Sequence, residues 1–350
     1  MIYLLTLAVS FLLALALTPV AMAVARRWGA VDRPGGRRQH AGVIPRMGGL
    51  AIFGGFAGAN LLVRALPVTW LPATTDPDEA FRWLGLMLGA TFVAIFGLLD
   101  DKYGFKSGPQ YVAQAIAAGI AIAFTIFIER INNPFGPGQI VFPWYIIWPL
   151  TLFWFMGFIN TVNFLDGVDG LAASVAAVVT VVLAIHMIRT GQYSVMLIAL
   201  ALLGSVLGFL IFNWPPAKVF MGSSGSYFLG FTLAALGLIA GARVATLLLV
   251  MGLPIMDVAW LIWWRWRHHK PLFQGDRNHL HFRLLDKGYT PRQIVLGYVA
   301  FGAVFGAISL MTASTTVKLL ALAALVVVGG GVILWAAPRD ENTPAPDGKL

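Results

Sequence analysis

Long apolar runs, separated by short polar segments, fill almost the whole chain. An α-helix needs about 20 mostly apolar residues to cross a bilayer, and runs of this kind recur from one end of the sequence to the other. They lie at residues 2–24, 48–63, 83–99, 109–128, 141–158, 171–188, 194–212, 226–240, 244–264, 294–311 and 317–335. This pattern predicts an all-α, polytopic membrane bundle with about eleven transmembrane helices. We expect residues 1–335 to form one bundle and the Pro-rich segment 336–350 to be a disordered tail.

The composition supports this class and excludes others. Of the 350 residues, 59% are hydrophobic and only 11% are charged, whereas soluble domains carry about 25% charged residues. The chain has no cysteine, which rules out disulfides and thiolate metal sites. The net charge of +9 first indicates cytoplasmic loops, and only secondarily an anionic ligand. No basic soluble region is present to bind nucleic acid, so we expect no nucleic-acid partner.

Basic residues predict the orientation of the bundle. The segment 25–47 is strongly basic, and the positive-inside rule therefore makes it cytoplasmic and places the N-terminus outside. Eleven spans then put the tail in the cytoplasm, together with the loops 25–47, 100–108, 159–170, 213–225 and 265–292. The opposite face receives only basic residues that are scattered singly along the sequence: Arg64, Arg82, Arg130, Arg189, Arg243 and Lys318.

The polar stretch 160–170 interrupts two apolar runs on the predicted cytoplasmic side. Its amides and carboxylates, Asn160, Asn163, Asp166 and Asp169, recur at a spacing of three, which places them near a common face of a helix. Charged groups at a membrane boundary are costly unless they are solvated, paired or bound to a cation. A solvated turn with a helix cap is the alternative. Other polar clusters on the same side favour a functional site.

The Asp100-Asp101 pair stands at the inner end of the third run. Adjacent carboxylates at a helix C-terminus face the unfavourable end of the helix dipole. They are either solvated acids at a stop-transfer boundary or part of a Mg²⁺ or proton-transfer site, because Mg²⁺ commonly bridges carboxylates and substrate phosphates.

Two further segments on this side suit anions. The small residues of 220–226 begin the eighth run and favour a phosphate at a helix N-terminus, although an ordinary serine cap is the better reading of this segment alone. The last loop is rich in basic and histidine side chains: Arg265, Arg267, His268, His269, Lys270, Asp276, Arg277, Asn278, His279, His281 and Arg283. Basic neighbours disfavour a cation there, so phosphate contact is the better interpretation. Together the loops predict a pyrophosphate-handling site.

These motifs resemble those of the polyprenyl-phosphate N-acetylhexosamine-1-phosphate transferases, which form glycosyltransferase family 4. The matching signatures are the Asp100-Asp101 pair, the 160–169 stretch, Met221-Gly222-x-x-Gly225-Ser226 and Asp276-Arg277-x-His279-x-His281. The resemblance covers nearly the whole chain, from Val31-Asp32-Arg33-Pro34 to the last basic loop. The motif His279-Leu280-His281 resembles that of the branch that transfers GlcNAc-1-phosphate. The pentapeptide translocase of peptidoglycan synthesis carries three consecutive histidines instead.

The resemblance implies an activity, partners and a location. The expected enzyme is a Mg²⁺-dependent phosphoglycosyl transferase, with Mn²⁺ as an alternative metal. It moves a sugar-1-phosphate from a UDP-sugar, UDP-GlcNAc by preference, onto undecaprenyl phosphate and releases UMP. This is the initiating membrane step of cell-envelope polysaccharide synthesis. The expected location is the bacterial inner membrane, with the active site on the cytoplasmic face of the lipid bilayer and a homodimer as an option. Direct attack by the lipid phosphate and a two-step route through an aspartyl intermediate both stay open.

The resemblance also implies roles for individual residues. Asp100 is the expected base for the lipid phosphate, and Asp101 and Asp166 are the expected acids of the metal and diphosphate site. The expected substrate-binding residues are Asn160, Asn163, Asp169, Arg46, Asp276, Arg277, His279 and His281.

One position departs from the family pattern. The family's turn reads Met-Gly-Asp-x-Gly-Ser, with the Asp as a Mg²⁺ ligand, and this chain has Ser223 there. Three explanations compete: a natural variant that recruits another acid or water, a catalytically impaired paralogue that serves as a scaffold or regulator, or an introduced substitution. A secondary transporter is the rival class, for which intramembrane charges are expected. The carboxylates lie at one membrane face instead, and Asp257 is the exception.

Overall fold

The computed structural model describes residues 1–33, 42–74, 76–133, 136, 138–241, 243–270, 278–312 and 314–337. In these ranges the chain is helical nearly throughout. The helices are α1 (Ile2–Trp28), α2 (Gly49–Arg64), α3 (Glu79–Tyr103), α4 (Ser107–Ala123), α5 (Trp144–Leu165), α6 (Leu171–Arg189), α7 (Tyr193–Asn213), α8 (Gly222–Ile239), α9 (Val244–Val250), α10 (Gly252–Arg267), α11 (Leu280–Asp286), α12 (Pro291–Met311) and α13 (Thr315–Ala336). A short 3₁₀ helix spans Val68–Trp70.

Two antiparallel hairpins of two strands each complete the secondary structure. Strands β1 (Val31–Asp32) and β2 (Ile44–Pro45) pair with Val31 opposite Pro45. Strands β3 (Arg130–Asn132) and β4 (Gln139–Val141) pair with Ile131 opposite Ile140. The first hairpin follows the C-terminal end of α1, and the second precedes α5.

The prediction of an all-α, polytopic membrane protein is confirmed. Eight of the described helices are long and apolar enough to cross a membrane, and the count reaches nine if α9 and α10 form one broken span. These two helices meet at a bend of 80°, so the ninth predicted run is two helices rather than one. The proline that follows this break, Pro254, lies in the first turn of α10, where its missing N–H costs no helical hydrogen bond. The total of eleven spans and the sides of the termini stay predictions.

Three predicted boundaries are wrong. The segment 159–170 is not a loop throughout, because α5 continues to Leu165 and carries Asn160 and Asn163 inside the helix. Their amides find partners on neighbouring helices, as described below, and this allows the helix to continue. Helix α8 begins at Gly222, before the expected position 226. Helix α4 ends at Ala123 instead of 128, because Thr125 adopts a φ of 58° and the N–H of Ile126 returns to the carbonyl of Ala121.

The bundle is organised around α8. All of its residues are buried, and it packs mainly against α3 and α5 and also against α2. Glycines let these neighbours approach closely: a Cβ on Gly49 of α2 would lie 2.0 Å from the backbone nitrogen of Gly225, and one on Gly97 of α3 would lie 2.5 Å from the carbonyl oxygen of Ser223. The N-terminus of α8 is therefore held between the ends of two other helices. The predicted tail falls on residues 338–350, which are outside the described ranges.

Candidate active site

The N-terminal turn of α8 is the structural centre of the site. The first backbone N–H groups of a helix have no partner within the helix. Here the N–H of Gly222 donates to Oδ2 of Asp166 at 3.1 Å, the N–H of Ser223 donates to Oδ1 of Asp101 at 2.8 Å, and that of Ser224 donates to Oδ2 of Asp101 at 3.1 Å. Two carboxylates from other parts of the chain therefore cap this helix. We call Asp101, Asp166 and these amides the carboxylate half of the site.

This arrangement differs from both interpretations of the 220–226 segment. The serine cap is wrong, because the N-cap residue is Met221 and no side chain of this segment caps the helix. The amides that were expected to bind a phosphate are already used by carboxylates of the protein. The turn requires glycine at 222, where φ is 73° and a Cβ would lie 2.6 Å from Oδ2 of Asp101.

Arg46 is held beside this turn by backbone pairing. It follows strand β2, whose Pro45 carbonyl accepts a hydrogen bond from the N–H of Phe220 at 2.8 Å. The N–H of Gly48 donates in turn to the carbonyl of Phe220 at 3.0 Å. Nη2 of Arg46 lies 3.9 Å from Oδ1 of Asp101, whose side chain is fully buried. Ser224 adds a hydrogen bond from its Oγ to Asp101 at 2.9 Å.

Negative charge exceeds positive charge in the carboxylate half. Asp166 is surrounded by protein on most sides although one side meets solvent, and burial raises its pKa to about 8. The charges of Asp101 and Asp169 raise this pKa further, whereas Arg46 and the N–H of Gly222 lower it. Neighbouring carboxylates of this kind favour either a bound proton or a nearby cation.

The remaining members of the 160–169 stretch bind separate parts of the fold. Asn160 exchanges hydrogen bonds with Gln114 of α4, the shorter at 2.6 Å, and Asn163 accepts one from Oγ of Ser226 at 2.9 Å. Asp169 accepts the N–H of Ala217 at 2.9 Å. The spacing of three therefore spreads these side chains over several neighbours, and Asn163 and Asp166 are the two that reach the N-terminal region of α8.

Asn213 also holds this region together, although no sequence motif indicated it. Its Oδ1 accepts the N–H of Gly170 at 3.1 Å, and its Nδ2 donates to the carbonyl of Val219 at 2.8 Å. It thereby joins the turn after Asp169 to the segment that leads into α8. Its position in an Asn-Trp-Pro-Pro segment on the predicted cytoplasmic side is the signal that could have indicated it.

Asp100 points away from Asp101. Its Oδ1 accepts the N–H of Phe105 at 2.9 Å and a hydrogen bond from Nε2 of Gln110 at 3.1 Å. The buried hydroxyl of Tyr227 lies close to both Asp100 and Ser223. Asp100 is therefore at the edge of the carboxylate half, next to the position where the family pattern has its third acid.

The second half of the site is built on Asp257 of α10. One oxygen, Oδ2, pairs with Nδ1 of His279 at 3.0 Å, and Oδ1 accepts the N–H of Leu280 at 2.9 Å and Nη2 of Arg283 at 3.0 Å. Because Nδ1 faces the carboxylate, it donates, and the opposite ring nitrogen Nε2 stays available. We call Asp257, His279, His281 and Arg283 the histidine half. In the sequence, Asp257 stands out only as an acid inside a span.

Ring stacking connects the two halves. The ring of Phe164, two residues before Asp166, stacks on His279 with centroids 4.7 Å apart, and His279 stacks on His281 at 5.6 Å. A Cβ on Gly167 would lie 2.9 Å from Nε2 of His281. The segment that carries Asp166 therefore also contacts both histidines.

His281 is a buried and neutral histidine. Its exposed fraction is 1%, and neither ring nitrogen has a hydrogen-bond partner among the described residues. Burial lowers its pKa to about 3, with His279 and Arg283 lowering it further and Asp257 raising it. A neutral ring retains one N–H that can donate to a ligand. Asp276 and Arg277, the other expected residues of this loop, lie outside the described residues.

Asp101 and Asp166 are acids of the kind that could take part in holding a magnesium ion. Mg²⁺ is usually bound through one or two carboxylates together with waters and substrate phosphates, and Asp101 and Asp166 supply two. Across the described ranges no group of three or more histidine, aspartate or glutamate side chains could hold a metal ion. Ser223 stands where the family pattern has a third carboxylate. Its hydroxyl is a weaker Mg²⁺ ligand than a carboxylate would be.

Comparison with known proteins agrees with the resemblance seen in the sequence. The model of the family described as glycosyl transferase family 4 matches residues 83–241. The chain is 30% identical to a probable undecaprenyl-phosphate N-acetylglucosaminyl 1-phosphate transferase of Bacillus subtilis, over 89% of this chain and 85% of the relative.

Two more relatives support the same assignment. A decaprenyl-phosphate N-acetylglucosaminephosphotransferase of Mycobacterium tuberculosis is 33% identical, over 94% of this chain and 87% of the relative. An undecaprenyl-phosphate alpha-N-acetylglucosaminyl 1-phosphate transferase of Yersinia pestis is 29% identical, over 81% and 77%. The predicted family is thus confirmed, and the chain belongs to glycosyl transferase family 4.

Proposed function

We propose that this protein transfers N-acetylglucosamine 1-phosphate from a UDP-sugar to a polyprenyl phosphate and releases UMP. The observation that carries the proposal is the meeting of Asp101 and Asp166 on consecutive amides of α8, with Arg46 beside them and the stacked histidines next to Asp166. The names of the relatives indicate a polyprenyl phosphate acceptor and a GlcNAc-phosphate donor. The basic loops favour a site on the cytoplasmic face of a bacterial inner membrane.

The reaction joins two phosphates and needs charge neutralisation more than covalent help. An oxygen of the lipid phosphate attacks the phosphorus that bears the sugar, a new P–O bond forms, and the bridging oxygen leaves with UMP. Asp100 is our candidate to accept any proton carried by the lipid phosphate. Arg46 and the N–H of neutral His281 are suited to hold the diphosphate oxygens.

Asp101 and Asp166 are the residues that would hold Mg²⁺ in this scheme. A bound metal ion would offset charge on the diphosphate in the transition state. The carboxylates have a second role that requires no metal, because they fix the first turn of α8 and through it the position of Ser223. We expect Asn163 and Asp169 to line the nucleotide pocket.

The test is UMP release from UDP-GlcNAc by the purified protein with undecaprenyl phosphate and Mg²⁺. Release that requires both the lipid and the metal, and disappears in Asp100→Ala, supports the transferase. Asp78→Asn is the matched control, since Asp78 is an exposed acid at the start of α3, at the far end of the helix from Asp100. Its activity should equal that of the native protein.

Ser223 raises a second candidate, a catalytically impaired scaffold of polymer assembly, because the family pattern has an acid at this position. The variant Ser223→Asp separates the two. Activity in the native protein shows that serine is tolerated. Silence in the native protein together with activity in Ser223→Asp indicates a scaffold that lacks one metal ligand. Silence in both, with folding confirmed and several UDP-sugars tried, contradicts the transferase proposal.

A further inference from the structure

The basic residues at the other end of the bundle fall into two groups. Three of the six that are scattered along the sequence have acidic neighbours. Arg82 pairs with Asp76, Arg130 pairs with Glu129, and the charge of Glu79 acts on Arg64. The other three, Arg189, Arg243 and Lys318, have no ion pair to a carboxylate in the described part of the chain. The fold brings these three residues towards the same part of the bundle.

Arg189, Arg243 and Lys318 lie within electrostatic range of His186, and Arg189 also donates to the carbonyl of Leu310. The charges of all three act on the His186 ring, although the residues come from α6, the turn before α9, and α13. All these positions lie at the end of the bundle opposite the carboxylate half. Helices α6 and α8 each begin at the carboxylate half and end at this opposite end. Like charges placed together repel one another, so a cluster of this kind is unfavourable unless an anion offsets it.

Several polar atoms of this cluster are buried and have no partner within the described residues. They are Nε2 of His186, Oε1 of Gln192 and Nε of Arg243. Burial lowers the pKa of the Arg243 guanidinium, which is the expected result when a cation is desolvated without a counter-charge. A buried polar group without a partner costs free energy. A phosphate oxygen can accept from an N–H such as Nε of Arg243, whereas the amide oxygen of Gln192 needs a donor.

The geometry leaves room for such a ligand above Gly241. The place that a Cβ at residue 241 would occupy is 3.6 Å from Nη2 of Arg243 and 3.7 Å from Nε2 of Gln192. Gly241 itself is exposed, whereas Arg243, Gln192 and Lys318 are half-buried. Two N–H donors, one of them on a cation, therefore flank a space that is open to the outside, and the Lys318 ammonium is near enough to be affected by the charge of Arg243.

We propose that His186, Arg189, Gln192, Arg243 and Lys318 form a binding site for a phosphate group at the membrane face opposite the carboxylate half. Guanidinium and ammonium groups that have no carboxylate partner among the described residues suit a phosphate oxygen, and charge-assisted hydrogen bonds to phosphate are strong. Because the cluster lies at helix ends, the phosphate of an anionic phospholipid headgroup and free phosphate are both possible sources. The site is separate from the transferase chemistry and does not depend on the proposed function.

The test uses the full-length protein, purified in detergent and freed of bound lipid. Retention of phosphatidylglycerol is measured by native mass spectrometry, with phosphatidylcholine, a zwitterion of zero net charge, as the reference. A second arm titrates inorganic phosphate at constant ionic strength and follows the midpoint of thermal unfolding. The test variant is the double substitution Arg243→Gln/Lys318→Gln. The matched control is Arg130→Gln, an exposed arginine at the same end that pairs with Glu129.

We expect the native protein to prefer phosphatidylglycerol and the double variant to bind it about 25-fold more weakly, since each basic residue at an anionic lipid surface contributes about fivefold. Arg130→Gln should bind as the native protein does, and Arg243→Lys should retain most of the binding. Stabilisation by inorganic phosphate that is lost in the double variant identifies free phosphate as a sufficient ligand. If only the binding of phosphatidylglycerol is lost in the double variant, the ligand is the phosphate of the lipid headgroup.

Three results overturn the proposal. The first is equal binding of both probes by the native protein and the double variant. The second is no binding of either probe by the native protein. The third is an equal loss of binding in Arg130→Gln, which would mean that general surface charge attracts the lipid. Size-exclusion profiles, and midpoints of thermal unfolding measured without either probe, show that each variant is folded.

Discussion

The two halves of the candidate active site both depend on a buried aspartate, but they handle its charge differently. In the carboxylate half, Asp101 and Asp166 outnumber the one arginine, and backbone amides of α8 provide most of the compensation. In the histidine half, a single carboxylate serves Arg283, His279 and one amide. The carboxylate half therefore has negative charge that its own residues do not balance. The second has its charge satisfied internally.

This difference indicates what each half is built to do. A site that lacks positive charge suits the reversible binding of a cation and the phosphates that accompany it. A carboxylate that holds a histidine by Nδ1 fixes the ring orientation and its tautomer, and leaves Nε2 directed at a ligand. The substitutions below separate these two roles, beginning with the one expected to have the largest effect.

Removal of Asp257 should be the most damaging change. In Asp257→Ala the buried Arg283 loses its counter-charge, and breaking a buried ion pair in this way costs about 3–5 kcal/mol. His279 loses the group that orients it, which lowers transferase activity about 10- to 100-fold if it behaves as other oriented histidines do. Thermal unfolding in detergent and UMP release measure the two effects.

Asp257→Asn is the matched control for this prediction. Its remaining carbonyl oxygen can still accept the N–H of Leu280, so the protein should be more stable than Asp257→Ala. Activity should stay low, because the side chain no longer carries the charge that favours a donating Nδ1 on His279. Native-like activity in both variants would show that Asp257 does not position the histidine.

Neutralising Asp101 is the corresponding test of the carboxylate half. Asp101→Asn keeps the shape of the side chain but replaces one acceptor oxygen with a donor, which then faces the N–H and Oγ of Ser224. Hydrogen bonds to charged groups contribute about 1.5–3 kcal/mol each, so we expect a loss of about 3 kcal/mol. The midpoint of thermal unfolding should fall, and the stabilisation that added Mg²⁺ gives the native protein should decrease.

Asp78→Asn again serves as the control, since Asp78 is largely exposed and its contact with Arg82 is 3.9 Å long. A surface pair of this kind contributes little to stability. Unchanged stability and an unchanged response to Mg²⁺ in Asp101→Asn would refute the capping role assigned to this carboxylate.

Acid should weaken the histidine half through His281. The pKa of this ring is about 3 in the folded protein and about 6.5 in an unfolded chain. The unfolded state therefore binds a proton first as the pH falls. The stability contribution is complete above pH 6.5 and is lost between pH 6.5 and 3, by at most about 1.4 kcal/mol for each pH unit.

The measurement is the midpoint of thermal unfolding between pH 7 and pH 4.5 for the native protein and for His281→Asn. The slope should be smaller in the variant. His268→Asn is the control, because His268 is exposed and its removal should leave the slope unchanged. Identical slopes in all three proteins would show that His281 is not the group that titrates.

The helices and the site could be predicted from the sequence to different extents. Every predicted apolar run corresponds to a helix or a broken pair, because the length and apolarity of a span are local properties. The residues of the two carboxylate positions, Asp101 and Asp166, were also identified, since acids at a membrane boundary are unusual in any chain. What they bind could not be predicted, because the capping of α8 requires the ends of three helices to meet.

The missed features have the same physical origin. Asp257 was visible as an acid within a span, but its partner His279 is 22 positions away in a loop whose path the sequence does not specify. Asn160 and Asn163 indicated a loop because their partners on α4 and α8 were unknown. Arg189, Arg243 and Lys318 appeared as isolated charges, and only the packing of α6, α9 and α13 brings them together. Contacts between distant segments account for each difference.

The smallest effect expected concerns the hydrogen bond between Ser226 and Asn163. It joins α8 to α5 one turn inside the carboxylate half, with Oγ of Ser226 donating to Oδ1 of Asn163 at 2.9 Å. Ser226→Ala should lower stability by about 1 kcal/mol, the usual contribution of a neutral hydrogen bond. The KM for the UDP-sugar should rise more than kcat falls if Asn163 contributes to the nucleotide pocket. The control is Ser205→Ala, whose hydroxyl bonds only within α7. An equal change in KM in both variants would show that Asn163 does not bind the substrate. Asp101 and Asp166 would then be the residues around α8 that take part in the reaction.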